Sequence, residues 1–423
     1  MNVEVNRMEL LAAAKNAATV APNLSPLDIF KCALLETEDG RLVVAATNGE
    51  MSMEQRVTAT VTEDVCAAVN ANLLAEMLRR LDGETVSISR EQDGRLSITC
   101  GSAEYLVPVQ DTAQYPRTEI PFPEDTVTVT GIPALVKRAA FAVSTDESRP
   151  TMKCVCLTFN AEGLHAAGTD GFRIASAKGE SKASADVRLL IPAHSMERLA
   201  QIVSNQDELR VGVTGTSVVF MKEGLTFSAR MMEGQFAAVE KVIEAMAPRF
   251  RVLLDAAALR QVVQSVSAVA SERNRFRLSF RGNRLEVMCQ SEFGSSKMKL
   301  DVTALRGTPA GDCWMNLRLL QECLAALSGT LELGIAASGA LVMRTENLTC
   351  IQMPMREPAP IALRRPSAEA PAPKPRKPVK DKTDKPKGKK NRTGKKSETG
   401  ETPGTDKNPD TNHEESPAAK EAA

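Results

Sequence analysis

Three histidines, nine cysteines and a few adjacent acids are the residues of this 423-residue chain that could carry catalysis. Their spacing suits none of the usual forms. His165 falls in an alternating run, His194 opens a helical run and His413 lies in a polar C-terminal stretch, so no base accompanies a nucleophile. Asp146 and Glu147 could exchange protons, but "STDESRP" reads as helix end and turn. The cysteines stand singly, with no CxxC pair, and Cys154 and Cys156 share a strand face without a histidine to complete a zinc set. Phosphate-cradling GxxxxGK[ST], GxGxxG, GxSxG and HExxH are all missing. The expectation is a chain with no catalytic residues, no metal and no cofactor. Its cysteines read as small core residues of a reducing cytoplasm, and no secretory or membrane-spanning run is visible.

What the chain offers instead is basic charge on helical runs: Lys15, Arg79, Arg80, Lys137, Arg138, Arg198, Arg260 and Arg318. Glu76, Glu197 and Glu322 intervene, and each helix alone could be an ordinary solvated face. Six such helices on one surface would follow a phosphate backbone without reading bases.

The elements that must position these residues repeat. "NANLLAEMLRRLDGETVSIS" from Asn70, "PAHSMERLAQIVSNQDELRVGV" from Pro192 and "MNLRLLQECLAALSGTLELGI" from Met315 each pass from helical to period-two spacing. A second helical run recurs from Arg7, Ile132 and Ala257, giving six helices in three pairs. Alternating runs bounded by turn residues fill the intervals, so the pattern predicts a strand, helix, strand, strand, strand unit used six times. The fold class is α+β, with tandem domains over 1–124, 125–246 and 247–357.

Hydrophobic residues make up 43% of the chain but aromatics only 4%, so the cores must be aliphatic. Residues 358–423 lose apolar periodicity and are expected to be a disordered tail. Residues 364–396 hold 14 Lys or Arg against 3 acids and residues 397–423 hold 7 acids against 2 Lys, a net +6 that leaves −6 on the rest of a chain of formal charge zero. A basic arm on an acidic body suits either solubility or nonspecific nucleic-acid contact.

"FAVSTDESRP" at 141–150, "TDGFRIA" at 169–175, "EGQF" at 233–236 and "MPMR" at 353–356 resemble, in order and spacing, the bacterial sliding clamp, the beta subunit of DNA polymerase III. The likeness runs over residues 1 to 356. It implies three tandem clamp domains and a head-to-tail homodimer closing a six-domain ring around double-stranded DNA, with helices lining the hole. It implies as partners the replicative DNA polymerase, the clamp loader and other replication and repair proteins, and no membrane. The peptide-binding groove carried over by position comprises Met152, Thr169, Gly171, Phe172, Arg173, Ile174, Ala237, Lys241, Val242, Met353, Pro354, Met355 and Arg356. Two methionines with Ile174 and Val242 would form an adaptable apolar floor, with arginines at its rim.

The sequence departs from the family in "FAAVEKV", where Ala237, Val239 and Lys241 replace a proline, a tyrosine and an arginine, and in "PNLSPLDI", where Asn23 and Leu24 stand in place of a DNA-facing arginine. Arg149 in the equivalent later loop remains available for DNA. The resemblance implies a dimer seam between Tyr105 and Val107 on one edge and Val269, Ala270 and Phe276 on the other. Two alternatives stand beside the clamp: a protein that binds DNA through its tail without closing a ring, and an enzyme with an unrecognised carboxylate site.

Overall fold

The computed structural model describes residues 3–117, 120–160, 163–179, 187–271 and 275–357. Over these the order strand, helix, three strands occurs six times. Unit one runs from Val3–Asn6 to Met51–Val61, unit two from Cys66–Asn70 to Ala103–Val107 and unit three from Thr126–Val129 to Arg173–Lys178. Unit four runs from Val187–Pro192 to Leu225–Arg230, unit five from Arg251–Asp255 to Gly294–Asp301 and unit six from Ala310–Asn316 to Leu348–Gln352. The helices are α1 (Arg7–Val20), α2 (Ala71–Arg80), α3 (Ile132–Ala139), α4 (Ala193–Ile202), α5 (Val239–Ala245), α6 (Ala256–Val266) and α7 (Leu317–Ala326). The repeat accounts for all of them except α5, which joins units four and five. One extra strand, Thr303–Arg306, joins units five and six.

Four of the six units turn from strand to helix at a residue whose side chain caps the helix, while units three and four turn at Gly131 and Pro192 without one. The side-chain oxygens of Asn6, Asn70, Asp255 and Asn316 accept backbone N–H groups in the first turns of α1, α2, α6 and α7, so the strand's last residue satisfies donors the helix cannot. Helical spacing then buries one stripe, as in α2 with Ala71, Leu74, Met77 and Leu78. Burying such a side chain stabilises by about 1.5–3 kcal/mol. The largest cluster is mainly aliphatic, with phenylalanines such as Phe159, Phe227 and Phe280 among its few aromatics.

Sheets run across unit boundaries. The last strand of unit one pairs antiparallel with the last strand of unit four, Met51 opposite Ala229 and Gln55 opposite Leu225. Units three and six join in the same way, Arg173 opposite Gln352 and Ala177 opposite Leu348. The helices form a layer in which α2 packs on α1, α1 on α4, α4 on α3, and α6 on α7. The 3-10 turn Ala140–Ala142 that follows α3 touches α7, which continues the layer.

Backbone contacts repeat with the units. Beyond the last strands of units two, four and six, Gln110 N–H donates to the Ala68 carbonyl, Met232 N–H to Leu190 and Met355 N–H to Trp314, at 2.8, 2.8 and 2.7 Å. Connecting segments also repeat: Pro123 lies over Gly212, and Pro248 over Gly334.

Candidate peptide groove and helix face

The "TDGFRIA" stretch closes the hairpin between Gly163–Thr169 and Arg173–Lys178. Thr169 Oγ1 donates to the Arg173 carbonyl at 2.7 Å and accepts from Gly171 N–H at 3.1 Å. Asp170 Oδ1 accepts from Phe172 N–H at 2.8 Å and Arg173 N–H at 2.9 Å. Gly171 has φ +87°, which a side chain would strain. The result is a rigid tip carrying Phe172 outward, 65% exposed. Asn48 holds the matching tip of unit one, accepting from Glu50 and Met51 N–H, each at 2.9 Å.

Three segments converge beside that tip. Ile174 lies opposite Ile351, and Met353 N–H donates to the Phe172 carbonyl at 2.8 Å, which ties the hairpin to the C-terminal strand. Ala237, Ile243 and Phe236, in and just before α5, pack with Val239 against Cys154, Cys156 and Leu190. Ile174 and Ile243 also pack against Ala336, Val342 and Ile351, so they bridge two small clusters. Met152, Val242, Pro354 and Met355 are half-buried, Lys241 and Arg356 are exposed, and Met353 is 37% exposed. This is an apolar strip with a cationic border, suited to an extended peptide.

One expectation about this strip needs correction, and one residue expected to face DNA lies next to it. Arg173 is not at the rim: it is 6% exposed, its Nε donates to Asp170 Oδ2 at 3.1 Å, its Nη2 to the Phe141 carbonyl at 2.7 Å, and its Nη1 is paired with Glu322 of α7. A buried guanidinium must spend its donors inside the protein. Arg149, read as a DNA residue, is beside the hairpin: a Cβ on Gly171 would lie 3.6 Å from its Nη1. It also pairs loosely with Asp146 at 3.6 Å.

On the helix layer, Lys15, Lys137 and Arg198 are exposed and Arg138 half-buried, and none has an ion-pair partner among the described residues. Arg79 and Arg80 share Glu76, whose carboxyl their hydrogen bonds push down to about 2. Arg318 is exposed and bonded to Glu322 at 3.0 Å. Although burial opposes ionisation of Glu322, Arg173 and Arg318 hold its carboxyl below the ordinary value. Arg260 is a further correction: it is half-buried and donates to the Leu324 and Leu327 carbonyls at 2.6–3.0 Å, closing the end of α7. Arg7 does the same for α2 through the Leu78 and Gly83 carbonyls.

At the expected seam, Ala103–Val107 pairs only with Leu96–Cys100, and Gly294–Asp301 only with Arg284–Ser291. Phe276 cannot serve the seam, being fully buried in a central strand. Val107 is 6% exposed and Tyr105 half-buried, so the outward side chains of their strand are Glu104 and Leu106. Val269 and Ala270 are half-buried beside the other edge, where the Val269 carbonyl accepts from Ser291 Oγ at 2.5 Å.

No group of three or more possible metal ligands occurs among the described residues. His194 Nε2 faces Glu50 at 2.9 Å and the fully buried Ser195 Oγ at a long 3.5 Å. Cys156 Sγ accepts from Arg188 Nε at 3.1 Å.

Residues 1–119 match the family described as DNA polymerase III beta subunit, N-terminal domain, and residues 126–238 match its central domain. The chain belongs to the DNA polymerase III beta subunit family. A beta sliding clamp of Streptomyces coelicolor is 26% identical over 292 residues, 66% of this chain and 76% of the relative. The beta subunit structure from Thermotoga maritima superposes with a TM-score of 0.78 at 19% identity, covering 84% of this chain and all of that one. A sliding clamp from Pseudomonas aeruginosa, solved with griselimycin bound, gives 0.77 at 19% identity with the same coverage. Within this beta-subunit fold the sequence reading missed α5, Glu322 and the capping role of Arg260. The signal for the last was available, since α7 ends without a basic residue in its final turn.

Proposed function

We propose that two copies of this chain close head to tail into a ring that slides on double-stranded DNA and tethers the replicative polymerase by the Phe172–Met353 groove. The family role is that of a processivity factor, which acts by topology and not by catalysis. The clamp domains divide near residues 124 and 246. The pairing rule carries ring closure: the last strand of unit one meets that of unit four, and unit three meets unit six. Applied once more, it sends the last strand of unit five to unit two of another copy, and those are two strands left with an open edge.

The same rule sets the register. Gly294 occupies the place of Met51 and Arg173, and Val107 that of Ala229 and Gln352, as the hairpin spacings show. Ser295 then lies opposite Leu106, Ser296 opposite Tyr105 and Lys297 opposite Glu104. Odd positions point to the core on Ala103–Val107 and even positions on Gly294–Asp301, as this register requires, and Val269 and Ala270 lie behind Tyr105 of the other copy. The alternative of a non-ring protein held by its basic tail rests on residues outside the described ones.

The test is retention on a nicked circular duplex. After loading with the cognate clamp loader and ATP, the protein should survive a wash at about 0.5 M salt, which dissolves ordinary phosphate contacts, and leave when the circle is cut once. Loss in the wash, or retention after cutting, rejects the ring.

Lys15, Lys137, Arg138, Arg198 and Arg318 would face the duplex, with Arg79 and Arg80 partly silenced by Glu76. Glu76→Gln should therefore tighten DNA binding and steepen the slope of log K against log salt by up to about 0.9 per arginine freed. Arg260→Ala should leave that slope unchanged and lower Tm by a few degrees, because it uncaps α7. Filter binding across salt and a thermal melt separate the two. The cluster of DNA-binding and polymerase-binding roles fits a cytoplasmic protein, and no helix among the described residues is long and apolar enough to cross a membrane.

A further inference from the structure

We infer that Glu322, on the helix layer and away from the peptide strip, is a positioning residue for the groove, acting through the buried Arg173. This rests on the reading of the strip as a peptide groove.

A chain of contacts runs from one to the other. Glu322 pairs with Arg173 Nη1, and Arg173 Nε donates to Asp170 Oδ2 at 3.1 Å. The other oxygen of Asp170 holds the N–H groups of Phe172 and Arg173, and the Phe172 carbonyl receives Met353 N–H. Arg173 is fixed from a third side by the Phe141 carbonyl at 2.7 Å and by the Phe141 ring, 5.3 Å below its guanidinium. Removing Glu322 leaves a buried cation whose nearest remaining anion is Asp170. The guanidinium must then turn toward Asp170 or water, and the tip that presents Phe172 turns with it.

The fold does not require this latch. Unit one builds the same hairpin on Asn48 and joins unit four by the same ladder, yet it carries Met51 where Arg173 stands. The helix position matching Glu322, six residues past the strand end, is Arg198 in α4. That junction stands with a methionine and an arginine. The carboxylate and guanidinium occur together only at the junction that borders the groove, which is where a fixed tip has a use. Glu322 also bonds Arg318 at 3.0 Å, so the latch reaches the face assigned to DNA.

The experiment is a double-mutant cycle in the full-length protein. Glu322→Gln, Arg173→Met and the double variant are titrated by fluorescence anisotropy with a labelled C-terminal peptide of the cognate replicative polymerase. Each single variant should weaken binding about tenfold, and the double variant also about tenfold, not a hundredfold, because the two residues act as one unit. Val287→Ala, a core truncation in unit five, controls for lost stability and should bind like wild type. Wild-type affinity in Glu322→Gln, additive losses in the double variant, or an equal loss in Val287→Ala would each overturn the inference while the groove stands. If wild type itself does not bind the peptide, the groove reading fails instead.

Discussion

Glu104→Lys should convert the ring to monomers at concentrations where wild type remains dimeric, and adding Lys297→Glu should restore it. Repetition of the unit pairing rule sets these two residues opposite each other on the outward face of the seam. Ser97 Oγ already donates to Glu104 Oε1 at 3.2 Å, so the carboxylate is partly ordered before association. Lys297 is exposed and has no ion-pair partner among the described residues, while Lys299, the diagonal neighbour, reaches Glu286 only at 3.9 Å. An opposite-charge pair on facing strands contributes about 0.2–1 kcal/mol and a like-charge pair costs a similar amount. Reversal therefore costs about 0.5–2 kcal/mol per seam. A closed head-to-tail dimer contains the seam twice, so the dimer loses about 1–4 kcal/mol, or about 5- to 1,000-fold in dissociation constant. Sedimentation equilibrium reads the shift, and the charge-swapped pair separates a seam contact from a general fault in folding. A Glu104→Lys protein that stays dimeric at nanomolar concentration would remove the register, though another dimer could remain.

Much of this architecture was legible because one pattern is written six times. Helical and period-two spacing locates the strands and helices of each unit, since burial of one face imposes those periods. The hairpin at Thr169–Ile174 was legible for a different reason: Asp and Gly are the residues its geometry demands. What the sequence concealed lies in single long-range contacts. Arg260 meets carbonyls 64 residues away and Arg173 meets a carboxylate on α7, and neither has a periodic signature. A basic residue on a helix reads as solvent-facing unless its acceptor is known. The segment Val239–Ala245 is too short to show a period, and it is helical because Val239 and Ile243 find apolar clusters waiting. Phe276 is placed at the seam by resemblance alone, and it lies in a strand paired on both sides with its side chain fully buried.

Gly334→Ala should be strongly destabilising for a single added methyl, while Ser89→Ala, at the equivalent position of unit two, should be nearly silent. A Cβ at Gly334 would lie 2.3 Å from the Phe250 carbonyl oxygen and 2.7 Å from Pro248 Cβ. Both are backbone or ring atoms that cannot rotate away, and Phe250 is itself buried against Phe280, with ring centroids 5.0 Å apart. Gly212 meets the same crowding from Pro123 and the Asp125 carbonyl at 2.6 and 2.7 Å. The cause is topological. Units four and six each follow a connecting segment that must cross their sheet to start the preceding unit, and the crossing chain lies on the strand where a side chain would stand. Unit two belongs to the first pair, has no such segment before it, and carries Ser89 there, half-buried. Forcing a methyl into packed backbone costs about 1–3 kcal/mol or more, which lowers the Tm of a region this size by about 4–8 °C per kcal/mol. Differential scanning calorimetry should show the transition that includes units five and six move down, with Ser89→Ala within about 1 °C of wild type. Equal melting of the two variants would mean that the segment bearing Pro248 lifts freely, and that its crossing does not hold units five and six in place.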